Sequence, residues 1–375
     1  MKTVLVLVCG VVLGIVLTLG LWPFHAPHND VAWLRDQNGL RFGPSGSVMS
    51  SAAFHTDVGG NGEMSLEIWF RPRRIWDSGT FVSICEYRNL SSLSLRQSQT
   101  TLFLRTNAPS IRSPGRTAVL SLEEAFTYAN HPVFLSIAAG GQETNVYING
   151  ALVKASSRFP LSAENLTGRL ILGDSPGQSD SWAGEIRGLA IYYRKLTGAE
   201  VLAHYATWVK AGHPAISGNQ RNIALYLFGE HEGNVVRDAA GSGVNLYIPK
   251  TYQVVGKIAL EPFWSEFEMT RSYWAAAFKN IVGFIPLGFS FYACLKMLLP
   301  EKRVGFLTVA LGTAVSLVIE ILQAFLPTRD SGTTDIITNT LGTWVGVALY
   351  RISAPVMFRL LARWRVPVPK GPSPD

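Results

Sequence analysis

The stretch from Gly312 to Gly346 constrains this chain more than any other, because its two apolar runs carry ionisable and amide side chains. It reads GTAVSLVIEILQAFLPTRDSGTTDIITNTLGTWVG. In the first run Gly312, Ser316, Glu320 and Gln323 recur at helical spacing, so they share one face. Asp335, Asn339, Gly342 and Gly346 do the same in the second run. Both runs are apolar enough for lipid, where an ionisable group costs roughly 3 kcal/mol or more unless a partner or a polar cavity receives it. Glu320 and Asp335 therefore mark either a polar lock between helices or a pocket.

Composition agrees with a membrane protein that has a sizeable soluble part. The 375 residues are 47% hydrophobic, and the mean hydropathy is +0.19. The formal net charge of +7 does not argue for nucleic acid, because much of the excess lies in the last residues. There Arg351, Arg359, Arg363, Arg365 and Lys370 face only Asp375, the pattern of a cytoplasmic membrane flank. Cys9 and Cys294 fall in apolar runs, leaving Cys85 as a buried filler and excluding an intradomain disulfide framework.

Val4 to Trp22, with Lys2 ahead of it, is long enough to span a bilayer and reads as an uncleaved anchor over residues 1–27. Residues 28–250 change to short β-type runs between Gly, Asn, Ser and Pro clusters. Met64 to Arg71, Thr80 to Cys85, Thr101 to Arg105, Val133 to Ala138, Thr144 to Ile148, Arg169 to Leu172 and Gly184 to Tyr193 are the clearest. Strands at this spacing with few helices between them predict an antiparallel two-sheet β-sandwich of jelly-roll type. Asn149-Gly150 is a hairpin turn, since both residues tolerate the positive φ of a type I′ turn.

The pieces SLEIWFRP at Ser65 to Pro72, NVYINGALV at Asn145 to Val153, and LILGD followed by WAGEIRGLAIYYRKLTGAEVLAHY resemble the laminin G-like branch of the concanavalin A-like lectin/glucanase fold. The last piece looks like the closing strand and a short helix capped near Thr197. Ala224 to Pro249 resembles a segment that usually opens such modules, and here it follows the module. Glucanase catalysis needs closely spaced carboxylates on one strand, and no Glu-x-Asp-x-Glu triplet occurs. Glu63 and Glu67 read as a solvated strand face. Asp174 and Asp180 are candidates for a calcium (Ca2+) site, with plain turn residues as the alternative. Trp76 and Trp182 could stack on a sugar, although a sandwich Trp is more often core.

Residues 251–273 form a connector with Pro262, Trp264 and the acids Glu261, Glu266 and Glu268. Spans then follow at Trp274 to Leu299, Val304 to Leu326 and Thr334 to Ile352, making residues 274–352 a three-helix transmembrane domain, with a basic tail over 353–375. Lys2, Lys302, Arg303 and the tail place both termini in the cytoplasm and the loop from Pro327 to Thr333 on the outer face. Asn280 with FIPLG at Phe284 to Gly288, Glu320-x-x-Gln323 with Pro327 and Arg329, and Asp335 followed by Asn339 and Gly342 resemble the VanZ-like membrane family. That resemblance implies a link to glycopeptide resistance of the teicoplanin type and no established reaction. A Glu320–Arg329 or Asp335–Arg329 pair would offset intramembrane charge, and Gly342-x-x-x-Gly346 would let backbones approach closely.

The resulting expectation is a multi-pass bacterial inner-membrane protein of the cell envelope with its sandwich on the periplasmic or extracellular side. Its sandwich would bind glycan, peptidoglycan or a protein partner. Its helical domain would handle an envelope lipid through Asn280, Glu320, Gln323, Arg329, Asp335 and Asn339. No resident cofactor is expected, and no catalytic residue stands out, since histidines end at His231. The alternative is an enzyme acting on a lipid-linked envelope precursor, with Glu320 or Asp335 as general base.

Overall fold

The computed structural model describes residues 2–55, 62–86, 91–106, 118–126, 131–177, 179–211, 222–267 and 271–363. Arg365, Lys370 and Asp375 of the expected tail, and Glu268 of the connector, lie outside them. The chain divides into two compact units, Ala26–Lys257 and the combination of Met1–His25 with Ile258–Asp375.

The first unit is an antiparallel sandwich. One sheet runs β1 (Val31–Trp33), β2 (Leu40–Phe42), β13 (Gly184–Tyr192), β4 (Met64–Pro72), β9 (Val133–Gly140), β10 (Glu143–Ile148) and β11 (Ala151–Ser156). β14 (Asn222–Tyr226) pairs with the second half of β13, alongside β2 on the first half. The other sheet runs β15 (Val235–Val236), β16 (Leu246–Tyr247), β3 (Val48–Ser50), β12 (Arg169–Leu172), β5 (Ser78–Cys85), β6 (Ser91–Ser98), β7 (Thr101–Thr106) and β8 (Ala118–Leu122). The segment from Ala224 to Pro249 thus supplies an edge to each sheet. Asn149 at φ 51° and Gly150 at φ 83° make the expected turn between β10 and β11.

Period-two alternation assigns the faces. On β4, Leu66, Ile68 and Phe70 enter the core between the sheets, where Phe70 stacks on Phe81 at 4.6 Å. The opposite face of the same strand is covered by α2 (Gly198–Ala211). Its Val201, His204 and Trp208 recur at helical spacing and are buried. The helix begins with reciprocal bonds: the Glu200 amide donates to Thr197 Oγ1 at 3.3 Å, and the Thr197 amide donates to Glu200 Oε2 at 2.8 Å. Chain entry and exit are tied together, since Asn29 Nδ2 donates to the Ser47 and Pro249 carbonyls and His28 bridges Thr251.

The second unit packs α1 (Lys2–Leu21) with α4 (Arg271–Leu295), α5 (Glu301–Gln323) and α6 (Thr333–Arg363), preceded by the short α3 (Phe263–Glu266). Whether the N-terminal helix joins the others is invisible in sequence; here Val16 of α1 is buried with Phe284 and Leu287 of α4 and Ile319 of α5. Glycines set the helix spacing. A Cβ on Gly342 would strike the Ile281 backbone, one on Gly346 the Ile285 carbonyl, and one on Gly288 the Thr343 carbonyl. Thr3–Leu21, Tyr273–Leu295 and Glu301–Gln323 are long and apolar enough to cross a membrane. Among the described residues α6, the fourth expected span, is not one of these; Thr333, Thr334, Asp335, Thr338, Asn339 and Thr340 occupy its first turns. The helix also continues past Ile352 to Arg363, so the expected tail starts as helix.

Candidate functional site

At one end of the helical unit, a cavity of about 370 Å³ is lined by all six residues singled out in the sequence. α4 contributes Asn280, α5 Glu320 and Gln323, the following loop Arg329, and α6 Asp335 and Asn339. The periodicity of each helix turns these groups inward, while exposed Leu317, Ile321 and Ile337 face away from them. Sequence reasoning missed two parts of the wall. Lys279, next to Asn280, was legible as a cation in an apolar run; Val16, Leu19 and Gly20 of α1 carry no polar signal and were not.

Depth separates the groups. Glu320, Asn339 and Gln323 are buried, at 1%, 4% and 7% exposure, whereas Lys279 is exposed. Glu320 Oε2 accepts from the Gly332 amide at 2.9 Å, and its main-chain carbonyl accepts from Ser331 Oγ. Asn280 Nδ2 donates to Asp335 Oδ1 at 2.7 Å, joining α4 to α6. Gln323 Nε2 donates to the Gly20 carbonyl at 2.8 Å. Arg329 donates through Nε and Nη2 to the Trp22 carbonyl at 3.0 and 2.8 Å, where the C-terminal carbonyls of α1 attract a cation. Asn339 Nδ2 donates to Ser316 Oγ at 2.9 Å, but its Oδ1 is buried without a hydrogen-bond partner. A buried acceptor left unmet costs about 1–3 kcal/mol, so this oxygen is an opening for a donor.

The acids of the sandwich are differently placed. Glu67 is fully buried, not on a solvated face: it accepts from Ser136 Oγ at 3.1 Å and from Tyr192 OH at 2.9 Å, and lies 2.9 Å from His204 Nδ1. Its strand faces α2 rather than water, which alternation alone could not reveal. Glu63 is half-buried and accepts from the Lys195 amide. Asp174 is buried and accepts from Tyr252 OH and the Ser175 and Asp180 amides; burial pushes its carboxyl up to about 6. Asp180 pairs with Arg96 through both oxygens, at 2.9 and 3.1 Å, and accepts from Thr80. Both calcium candidates are thus engaged by protein donors. Among the described residues no group of three or more His, Cys, Asp or Glu is placed to hold a metal. Trp182 is core, donating to Gln97, while Trp76 is exposed.

The sandwich also has a polar cleft outside its core. Arg41, Arg71 and Glu185 separate two hollows of about 380 and 520 Å³. Burial works against the charge of Glu185, but hydrogen bonds from Arg71 and Arg187 outweigh it and hold the carboxyl below its usual range. Arg41, 4.0 Å from the same carboxylate, keeps most of its side chain in solvent.

Residues 44–202 match the concanavalin A-like lectin/glucanases superfamily, and residues 226–354 match VanZ/LLP1. The second match begins at Tyr226 on β14, well before the helices that suggested it. No curated protein matches the chain. Among solved structures, it is similar to the binding domain of botulinum neurotoxin serotype G, with 14% identity and a TM-score of 0.37, covering 50% of this chain and 47% of that one. A botulinum neurotoxin DC binding domain in complex with SialylT gives 14% and 0.38, covering 48% and 45%. The receptor binding domain of the C/D mosaic serotype gives 13% and 0.38, covering 61% and 62%. The chain therefore spans about half the length of the first of these structures, and nothing about a ligand follows from them.

Proposed function

The chain joins a laminin G-like, concanavalin A-type sandwich to a VanZ-like domain, and from that premise we propose a membrane-anchored cell-envelope protein that acts by recognition rather than catalysis. Its helical unit takes up the head group of an envelope lipid, and its sandwich binds glycan, peptidoglycan or a protein partner. One observation carries the lipid reading: six polar side chains from three helices and a loop, far apart in sequence, line a single cavity. A polar lock needs no such space, whereas about 370 Å³ lies within the roughly 300–1,000 Å³ of ligand pockets. For the sandwich, the Arg41–Glu185–Arg71 cleft supports a polar ligand.

The enzyme reading has the burial of Glu320 in the same cavity in its favour, since desolvated carboxylates suit proton transfer. Product detection from a lipid-linked precursor separates the two. The recognition reading is tested by lipid co-purification with the full chain. Lipid retained by the wild type and lost on filling the cavity with Asn280→Leu, at unchanged abundance, supports it; equal retention overturns it. The outward orientation is tested by a reporter active only outside the cytoplasm, expected to work after Pro249 and to stay silent after Arg303. Sensitivity to a teicoplanin-type glycopeptide in a deletion strain tests the envelope link.

A further inference from the structure

Charge in the cavity is sorted by depth. Its deepest groups are acceptors, the Glu320 carboxylate and the Asn339 Oδ1 left without a partner, while Asp335, half-buried in the first turn of α6, accepts from Asn280 nearer the loop. Its outer wall holds cations, with Lys279 exposed on α4 and Arg329 on the loop after α5. A purely anionic head group would meet the cations and then drive its remaining oxygens against the buried Glu320 carboxylate. A purely cationic ligand would do the reverse. Like-charge contact in a site of low dielectric is costly, so a ligand that changes sign along its length fits this order.

Resting on the lipid reading above, we infer that the cavity selects an amino-phosphate head group, with a primary ammonium pointing inward to Glu320 and Asn339 Oδ1 and the phosphate outward toward Lys279 and Arg329. The unmet oxygen of Asn339 decides between ammonium types. It calls for an N–H donor, which a primary ammonium supplies and a quaternary one does not. A glycerol head group also donates hydrogen bonds, but brings no positive charge to Glu320.

The test is competitive lipid retention by the full chain in mixed vesicles of phosphatidylethanolamine, phosphatidylglycerol and phosphatidylcholine, read by native mass spectrometry after detergent extraction. The wild type should retain the ethanolamine lipid roughly tenfold over each of the others, the size of one charge-assisted hydrogen bond. Glu320→Gln keeps shape and should erase that preference while leaving the melting midpoint in place. Lys279→Gln, at an exposed position, should lower retention of all three phospholipids alike. As a control, Phe306→Ala, at a 77% exposed site outside the cavity, should change neither. If phosphatidylglycerol or phosphatidylcholine is retained as well as the ethanolamine lipid and is lost with Lys279→Gln, the ammonium assignment falls and the lipid reading stands. If no lipid responds to any cavity variant, both fall.

Discussion

Buried acids behave differently in the two units. Beneath α2, Glu67 is enclosed by Ser136, Tyr192 and His204, and the network fills the space between helix and sheet. In the helical unit Glu320 is equally buried but borders a hollow, beside an Asn339 oxygen with nothing to accept from. A buried carboxylate is therefore not by itself a sign of function. When the fold supplies its donors and leaves no room, it is a clasp; when it borders space and an unmet acceptor, a ligand has something to gain.

The comparison breaks most visibly at Glu67. Glu67→Ala would leave the hydroxyls of Ser136 and Tyr192 and the His204 ring without their shared acceptor under a covered sheet. We expect a loss of about 3–5 kcal/mol in chemical denaturation, as for one partner of a buried polar cluster. A loss below about 1 kcal/mol would mean the network relaxes into water.

Asp174 sharpens the comparison through pH. Its folded carboxyl titrates near 6, above the ordinary value of 3.8, so this group favours the folded state most at low pH. That contribution fades as pH rises from about 4 through 6, by about 3 kcal/mol in all. Glu185, held low by its arginines, works in the opposite direction, so only a difference isolates Asp174. Asp174→Asn should flatten the wild-type-minus-variant stability curve above pH 6 and steepen it between pH 4 and 6. A difference constant across that window would contradict the assignment.

Packing in the helical unit should fail more locally. Gly342→Val forces a side chain into the Ile281 backbone and should cost about 1–3 kcal/mol, seen as a lower melting midpoint in detergent. The smallest effect belongs to Glu320→Gln, which keeps a hydrogen-bonding side chain at the Gly332 amide: under about 1 kcal/mol on stability, against the full loss of clasp at Glu67. A drop as large as that for Glu67→Ala would make Glu320 a clasp as well.

Much of this architecture was legible from periodicity. Strands such as Arg169–Leu172 and the Asn149-Gly150 turn follow from alternation and from the backbone freedom of two residue types. The helical faces bearing Glu320 and Asn339 follow from spacing. Edge assignment did not, because the segment from Ala224 to Pro249 carries the same short apolar runs whichever sheet it joins.

By itself the sequence determined which residues share a face on each element, since the 3.6 and 2.0 residue periods are properties of the local backbone. Only the tertiary structure decided what stands opposite them. α2 lies over Glu67 and turns an expected solvent face into a sealed network. α1, about 300 residues away from α5 in the chain, closes the cavity wall at Gly20, and the carbonyl of Trp22 just after it accepts from the Arg329 guanidinium, a contact that no local spacing announces. Such partners are set by packing between distant segments, through burial of apolar surface and backbone carbonyls that need donors, and no local pattern records the outcome.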